Sequence, residues 1–353
     1  MKLYSNEIVF RGHPDKCADQ ISAALLDAYL KGDKNTRAGI EVVGGKGKIF
    51  ITGEVTSKAK VDVEAVTRRV LKDCGYPYYS PSQVKGGTAC GGVVYEIINN
   101  LGLQSGDIAL GVDTGGAGDN GMMFGYACAD TKELLPTAMV ILQKFAREYD
   151  KLRLKDARFK SDGKAQVTGE YCADFRLKRI VTFTVCYQNI ETQRAATDLI
   201  IKDIATRIAG EHEIKIEKFL INPTGRFEIG GFEGDAGLTG RKIVVDSYQS
   251  FANVGGGCMN GKDGSKVDIS AAHKARELAK QILKRHNLRW CEVQLSYAIG
   301  QARPLAIYID SSAGNIQPTE DMYVACEPRN IIRDLKLKEI CYEDLAKWGH
   351  FTK

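Results

Sequence analysis

Three short glycine-flanked loops recur along the chain: Gly12-His13-Pro14-Asp15, Gly116-Ala117-Gly118-Asp119-Asn120-Gly121 and Gly234-Asp235-Ala236-Gly237. Marked at Gly12, Gly118 and Gly234, they are spaced by 106 and 116 residues. Each leads towards a stretch of helical periodicity. From about Asp15, Cys17, Ile21, Leu25 and Ala28 fall on one face, with Gly32 as the C-cap. A second helix runs from about Lys132 through Leu135, Met139, Leu142 and Phe145, with Pro136 in its first turn. The third starts at Asp268 or Ser270 and uses Ala271, Ala275, Leu278 and Ile282. Paired strand-like runs follow each helix: Gly39–Val43 with Lys48–Thr56, Gln166–Tyr171 with Arg179–Tyr187, and Cys291–Ile299 with Leu305–Ile309. Closing helices are predicted over Val61–Cys74, Glu191–Ala209 and Asp321–Leu335. The chain therefore reads as three copies of one loop–helix–strand–strand–helix unit. A period of this length makes each copy a domain, since solenoid repeats are ~20–50 residues long. The expected fold class is α+β, three similar α+β domains at about 1–103, 104–231 and 232–353. Helices on one face of each sheet leave the other to be covered, by another domain or a second subunit.

A chain of 353 residues can bury a core in each of three such units. Its net charge of +5 suits a small anionic ligand; no basic tail or Lys/Arg block suggests nucleic acid. Neither a membrane-length apolar run nor a secretory signal is present, so a cytoplasmic protein is expected. The ten cysteines are scattered singly without a C-x-x-C pair, which argues for reduced thiols and against a zinc or redox site.

The stretch Asn222–Asp246, NPTGRFEIGGFEGDAGLTGRKIVVD, mixes glycines with Arg226, Arg241, Lys242 and Asp235. Glycine lets backbone N–H groups approach a ligand, and this charge mixture suits a polyphosphate with a metal ion. The apolar run Ile243-Val244-Val245 that follows is expected to tie the loop to a strand end. His13, before Pro14, is expected at a helix N-terminus, where an imidazole can donate to phosphate. Asp15 and Lys16 add a metal-type ligand and a cation. Lys160-Ser161-Asp162-Gly163-Lys164 is expected as a turn that ends where a strand starts, and Gly255-Gly256-Gly257 with Lys262 and Lys266 just before the third helix. No P-loop, Rossmann, kinase or Ser-His-Asp signature occurs. Together these residues make a polyphosphate cradle with room for a divalent metal.

The blocks Gly12–Lys16 (GHPDK), Gly116–Gly121 (GAGDNG), Asn222–Phe227 (NPTGRF), Gly234–Lys242 (GDAGLTGRK), Gly255–Gly257 with Gly261–Asp263 and Ser265–Asp268, and Ser296–Gly300 (SYAIG) occur in order. In them the chain resembles the S-adenosylmethionine synthetase (methionine adenosyltransferase) family nearly end to end. The resemblance implies three interleaved α+β domains about a pseudo-threefold axis. It implies a homodimer or homotetramer with active sites between subunits, making S-adenosylmethionine from ATP and L-methionine. Sulfur attacks the ribose 5′ carbon in line, and the displaced triphosphate is hydrolysed to phosphate and pyrophosphate. By motif, His13 would stabilise the leaving triphosphate, with Lys164, Arg241 and Lys242 as further catalytic residues. Asp162, Gly163, Lys164, Arg226, Phe227, Asp235, Arg241, Lys242 and Lys262 would bind ATP. Glu54, Gln104, Asp235 and Lys266 would bind methionine. Asp15 and Asp268 would hold Mg2+, and Glu41 would hold K+. The chain departs from the family pattern over Tyr76–Gly92, in a short Gln104–Gly116 segment where a gating loop is usual, and in Cys258-Met259-Asn260, where Ala-Phe-Ser is usual. It keeps the terminal Gly349-His350-Phe351. A metal-dependent triphosphatase or phosphotransferase, or a noncatalytic nucleotide-binding regulator, are the alternative readings.

Overall fold

A computed structural model describes residues 2–76, 95–104, 115–189 and 194–351. The expectations for the segment after Tyr76 and for a gating loop beyond Gln104 fall largely outside these residues.

Strands assemble into three sheets, each joining a hairpin to an edge strand from another part of the chain. The first contains β2 (Arg37–Gly45), β3 (Lys48–Thr56) and β4 (Glu96–Gly102), plus the two-residue β9 (Gly237–Leu238) beside β2. The second contains β6 (Phe159–Tyr171), β7 (Leu177–Asn189) and β8 (Ile216–Ile221), with β1 (Lys2–Val9) against β6. The third contains β10 (Trp290–Tyr297) and β11 (Ala306–Ser311), with β5 (Gly121–Cys128) against β10. Pairs β3/β4 and β7/β8 are parallel and the rest antiparallel, so the first two sheets are mixed. The hand-over of edge strands is cyclic: the strand before the first helix enters the second sheet, that before the central helix the third, and β9 the first. This is the α+β architecture read from the triplication, with interleaved sheets.

Helices α1 (Pro14–Gly32), α3 (Thr137–Arg153) and α5 (Val267–Arg285) lie against β2, β6 and the β5/β10 pair respectively. Helices α2 (Val63–Asp73) and α4 (Arg194–Gly210) close the first two units; α6 (Glu320–Ala325) and α7 (Pro328–Asp334) stand where one third closing helix was expected. Helix α8 (Tyr342–Trp348) then packs on α1. The alanine face of α5 sits so close to β5 that a Cβ on Gly125 would come within 1.9 Å of the Ala275 carbonyl carbon. The Lys46-Gly47 turn of the first hairpin has φ of 48° and 81°, the two positive values a type I′ turn needs. One apolar core joins α1 and α5 to the first and third sheets; a second lies around β6 and β7 under α3 and α4.

Three local expectations are corrected. The central helix begins at Thr137, not Lys132, because Leu134 has φ +56° and Pro136 is its N-cap. Lys160–Lys164 lies inside β6, where Lys164 pairs with Val9 of β1, a strand the sequence reading passed over. Ile243–Asp246 is a helical turn and no strand end: the Asp246 N–H donates to the Lys242 carbonyl at 2.8 Å. Among the described residues, no helix is long and apolar enough to cross a membrane.

Candidate active site

The first group of site residues forms where α1, β6 and the 237–242 loop meet. Pro14 holds His13 extended (φ −59°, ψ 136°) as the α1 N-cap, and its Nδ1 accepts the Asp15 N–H at 3.2 Å. A ring that accepts at Nδ1 carries its proton on Nε2. Burial, then the nearby Lys242, push the His13 pKa down to about 3; Asp15 opposes them, and Lys164 and Lys16 add to the downward push. The imidazole is thus a neutral donor. Asp15 accepts from the Leu238 N–H at 3.0 Å and from Lys242 Nζ, with Arg241 Nε 3.8 Å away. Burial alone would raise the Asp15 pKa; the Lys242 and Leu238 hydrogen bonds outweigh it and hold the carboxyl below its usual range. Lys164, Arg241 and Lys242 line one cavity of about 340 Å³. A larger cavity of about 530 Å³, walled by Phe175, Phe251 and Trp290, holds none of the predicted site residues.

Asp162 stands two residues before Lys164 on β6 and accepts the Gly231 N–H at 2.7 Å. Burial lifts its pKa to about 6 against the Gly231 and Gly163 N–H groups and Lys164; the Asp235 charge adds to the rise. A raised carboxyl means that the folded chain holds this proton more tightly than the unfolded one. Stability therefore falls as pH rises from the ordinary carboxyl range through about 6. Asp162→Asn is expected to stabilise the ligand-free protein at neutral pH by about 1–3 kcal/mol, with the gain shrinking towards pH 5. Urea unfolding at both pH values checks this; a gain independent of pH would contradict it.

The second group gathers at β3 and the α5 N-terminus. Glu54 Oε1 lies 3.1 Å from Lys266 Nζ and 3.0 Å from Gln104 Nε2. Burial pushes the Glu54 carboxyl up, but Gln104 and Lys266 outweigh it and keep it charged below its usual range. Lys262 Nζ pairs with Asp268 Oδ2 at 2.6 Å, and Asp268 Oδ1 accepts the Gly257 N–H. On the same half-open face as Glu54, alternation along β2 places Glu41, which accepts from the Thr239 hydroxyl.

Strand β2 is the spine between the groups. Its Ile40 N–H bonds the Gly261 carbonyl at 3.0 Å, while its Val42 carbonyl takes the Thr239 N–H at 3.0 Å. Three of the four predicted methionine contacts thus meet in one chain. Asp235 instead faces the first group: its carboxylate accepts the Ala236 N–H and its charge acts on Asp162. Arg226 and Phe227 come from the turn after β8, where the exposed Arg226 pairs with Glu228 at 2.9 Å.

Lys16 departs from its expected role. It is buried inside the molecule, 2.7 Å from Asp246 Oδ2 and 3.6 Å from Asp19 Oδ2, and adds no cation to the cradle surface. Asp19, Asp246 and Thr239 carry no individual signal in the sequence, and Asn260 is marked there only as a departure from the family pattern. The only sequence signal for Asp19 is its position one helical turn after Asp15.

The fold defines an α+β protein of three interleaved sheets that carries two clusters of charged side chains. The S-adenosylmethionine synthetase patterns match throughout: the N-terminal domain at residues 1–105, the central domain at 114–227 and the C-terminal domain at 229–353. S-adenosylmethionine synthase 1 of Frankia casuarinae is 40% identical over 385 residues, covering 100% of this chain and 94% of the relative. The S-adenosylmethionine synthases of Salinispora tropica (39% over 390 residues) and Nocardioides sp. (41% over 381) are covered to the same extents. The chain belongs to the S-adenosylmethionine synthetase family, and by that membership is a methionine adenosyltransferase, a transferase.

Proposed function

We propose that the chain joins ATP to L-methionine by in-line attack of the methionine sulfur on the ribose 5′ carbon, and then hydrolyses the displaced triphosphate to phosphate and pyrophosphate. The observation that carries this reading is the division of labour between the two groups. Glu54 offers a carboxylate with the Lys266 ammonium 3.1 Å and the Gln104 amide 3.0 Å from its Oε1, a set that matches an amino acid's two charges. His13, Lys164, Arg241 and Lys242 offer a neutral donor and three cations, two of them at Asp15, a set that matches a polyphosphate. A thioether has no proton to lose, so no general base is needed. The protein's work is alignment and stabilisation of the leaving group's charge. Asp162, Gly163, Lys164, Arg226, Phe227, Asp235 and Lys262 complete the nucleotide contacts in this reading.

Asp15 and Asp268 each already face a lysine ammonium, the position a metal cation would take. Among the described residues no three His, Cys, Asp or Glu side chains converge on one metal position. That suits Mg2+, which is commonly held by one or two carboxylates with phosphate oxygens and waters completing its shell. Bound there, it would neutralise phosphate charge. K+ is assigned to Glu41. The division at 1–103, 104–231 and 232–353 is kept as three interleaved units. In the proposed homodimer or homotetramer, a second copy covers the open face of the first sheet, where Val43 and Phe50 are exposed beside Glu41 and Glu54, and brings its other group to this one.

The test is one reaction mixture of protein, ATP, Mg2+ and K+, with and without methionine, analysed for all products. S-adenosylmethionine, phosphate and pyrophosphate are expected only with methionine. ADP formed equally without it would identify a triphosphatase or phosphotransferase, and folded protein giving no product would leave a binding role.

A further inference from the structure

The terminal Gly349-His350-Phe351 block has no part in the reading above, yet it reaches the loop that carries Arg241 and Lys242. We propose that His350 is a positioning residue: with Asn260 it fixes Asp246 and Asp19, and these hold the 238–246 segment so that Lys242 and Arg241 stay at Asp15. The inference rests on the proposed function.

The path is continuous in contacts. Gly349 has φ +96°, which turns the chain out of α8 and buries His350 at 3% exposure. The His350 N–H donates to the Asp246 carbonyl at 2.9 Å. Its Nε2 donates to Asn260 Oδ1 at 3.0 Å, and the Asn260 amide lies against the Asp19 and Asp246 carboxylates and favours their charged forms. Phe351 stacks on Tyr248, centroids 4.9 Å apart and 6° from parallel, just beyond Asp246. Asp246 accepts from Lys16, and Asp19 accepts the Gly240 N–H at 3.0 Å. The loop is therefore pinned at Leu238, Gly240 and Asp246, and the last two pins run through groups that His350 or Asn260 touches. This hub depends on a side chain at 260 long enough to reach both His350 and the carboxylates.

Three variants test this: His350→Ala, His350→Gln, whose amide can replace Nε2–H, and Asn260→Ser. Each is assayed for adenosyl transfer, for hydrolysis of inorganic tripolyphosphate, which needs the cradle alone, and for amide hydrogen exchange over 237–246. For His350→Ala, kcat is expected to fall about tenfold in both reactions with methionine KM unchanged. Exchange over 237–246 should rise about five- to tenfold, as for loss of one buried hydrogen bond. Gln should restore most of both, and Asn260→Ser should show the same pattern more weakly. Should His350→Ala fail to fold, Asn260→Ser alone decides. Unchanged kcat per folded molecule, or equal losses in Ala and Gln, would overturn the positioning role while leaving the function standing. An inactive wild type would overturn both.

Discussion

Replacing His13 by alanine is expected to lower kcat for adenosyl transfer by about 10²–10³-fold, while ATP affinity measured without methionine changes by no more than about threefold. The asymmetry follows from how the ring is held. Nδ1 is occupied by the Asp15 N–H, so the remaining proton sits on Nε2. Burial and Lys242 keep the ring neutral, with a pKa pushed down to about 3. Under the proposed function, where Lys164, Arg241 and Lys242 meet the ground-state triphosphate, a neutral donor adds little to its binding. Its hydrogen bond strengthens as charge moves onto the departing oxygen, and only interactions that strengthen in that way raise kcat. With the pKa held at about 3 by burial and Lys242, activity should show no limb near neutral pH that titrates with this ring in the ligand-free enzyme. Steady-state kinetics with equilibrium ATP binding on the same preparation make the comparison. Equal losses in kcat and in affinity would place His13 in uniform binding and remove its transition-state role.

The largest effect on folding is expected at Lys16. Lys16→Met should cost about 3–5 kcal/mol of stability, the range for stranding a buried charge by removing its partner. Lys16 and both carboxylates it faces are almost wholly inaccessible, with side-chain exposures of 2%, 4% and 0%. Burial pushes the Lys16 pKa down, but Asp246 and Asp19 outweigh it and leave it raised. A raised ammonium contributes stability at any pH below its unfolded value, so the contribution is complete across the neutral range. Asp19 behaves oppositely. Burial lifts it to about 7, only partly offset by Lys16, so the fold loses stability as pH rises from the ordinary carboxyl range to about 7. Without Lys16 that loss should steepen: the variant should fall further behind the wild type at pH 8 than at pH 6. Adding Asp246→Asn should recover part of the deficit, since it removes the stranded charge. Urea midpoints for the three proteins at both pH values settle the matter. A single variant within about 1 kcal/mol of wild type, flat in pH, would mean that the buried triad is not what holds α1 to the 243–246 turn.

Those two neighbours, His13 and Lys16, show where sequence reading works and where it stops. His13 was legible because its neighbour in sequence, Pro14, dictates its backbone, and a residue placed extended before a helix caps it. Lys16 was misread as a second cation for the ligand because it follows Asp15. Each helix residue turns about 100° from the last, so adjacent side chains on α1 serve different faces. Asp15 points to the 238–242 loop, and Lys16 into the core. Similarly, Glu54 was placed correctly on the face opposite Ile49 and Ile51, because alternation in a strand is local. Its neighbours Lys266 and Gln104 lie 212 and 50 positions away along the chain, a proximity no local pattern carries.

What the sequence determined by itself is everything carried by short-range periodicity and by blocks of consecutive residues: three α+β units, the hairpins and the glycine loops. The tertiary structure alone decided which strand enters which sheet. Charged, irregular β1 and the two-residue β9 carry too little local signal to reveal that they complete sheets begun more than 150 residues away in one case and nearly 200 in the other. It also decided which charges face the ligand and which are spent on each other. Ion pairing in the interior depends on burial and on distances between remote segments, and neither is written in the order of residues along the chain.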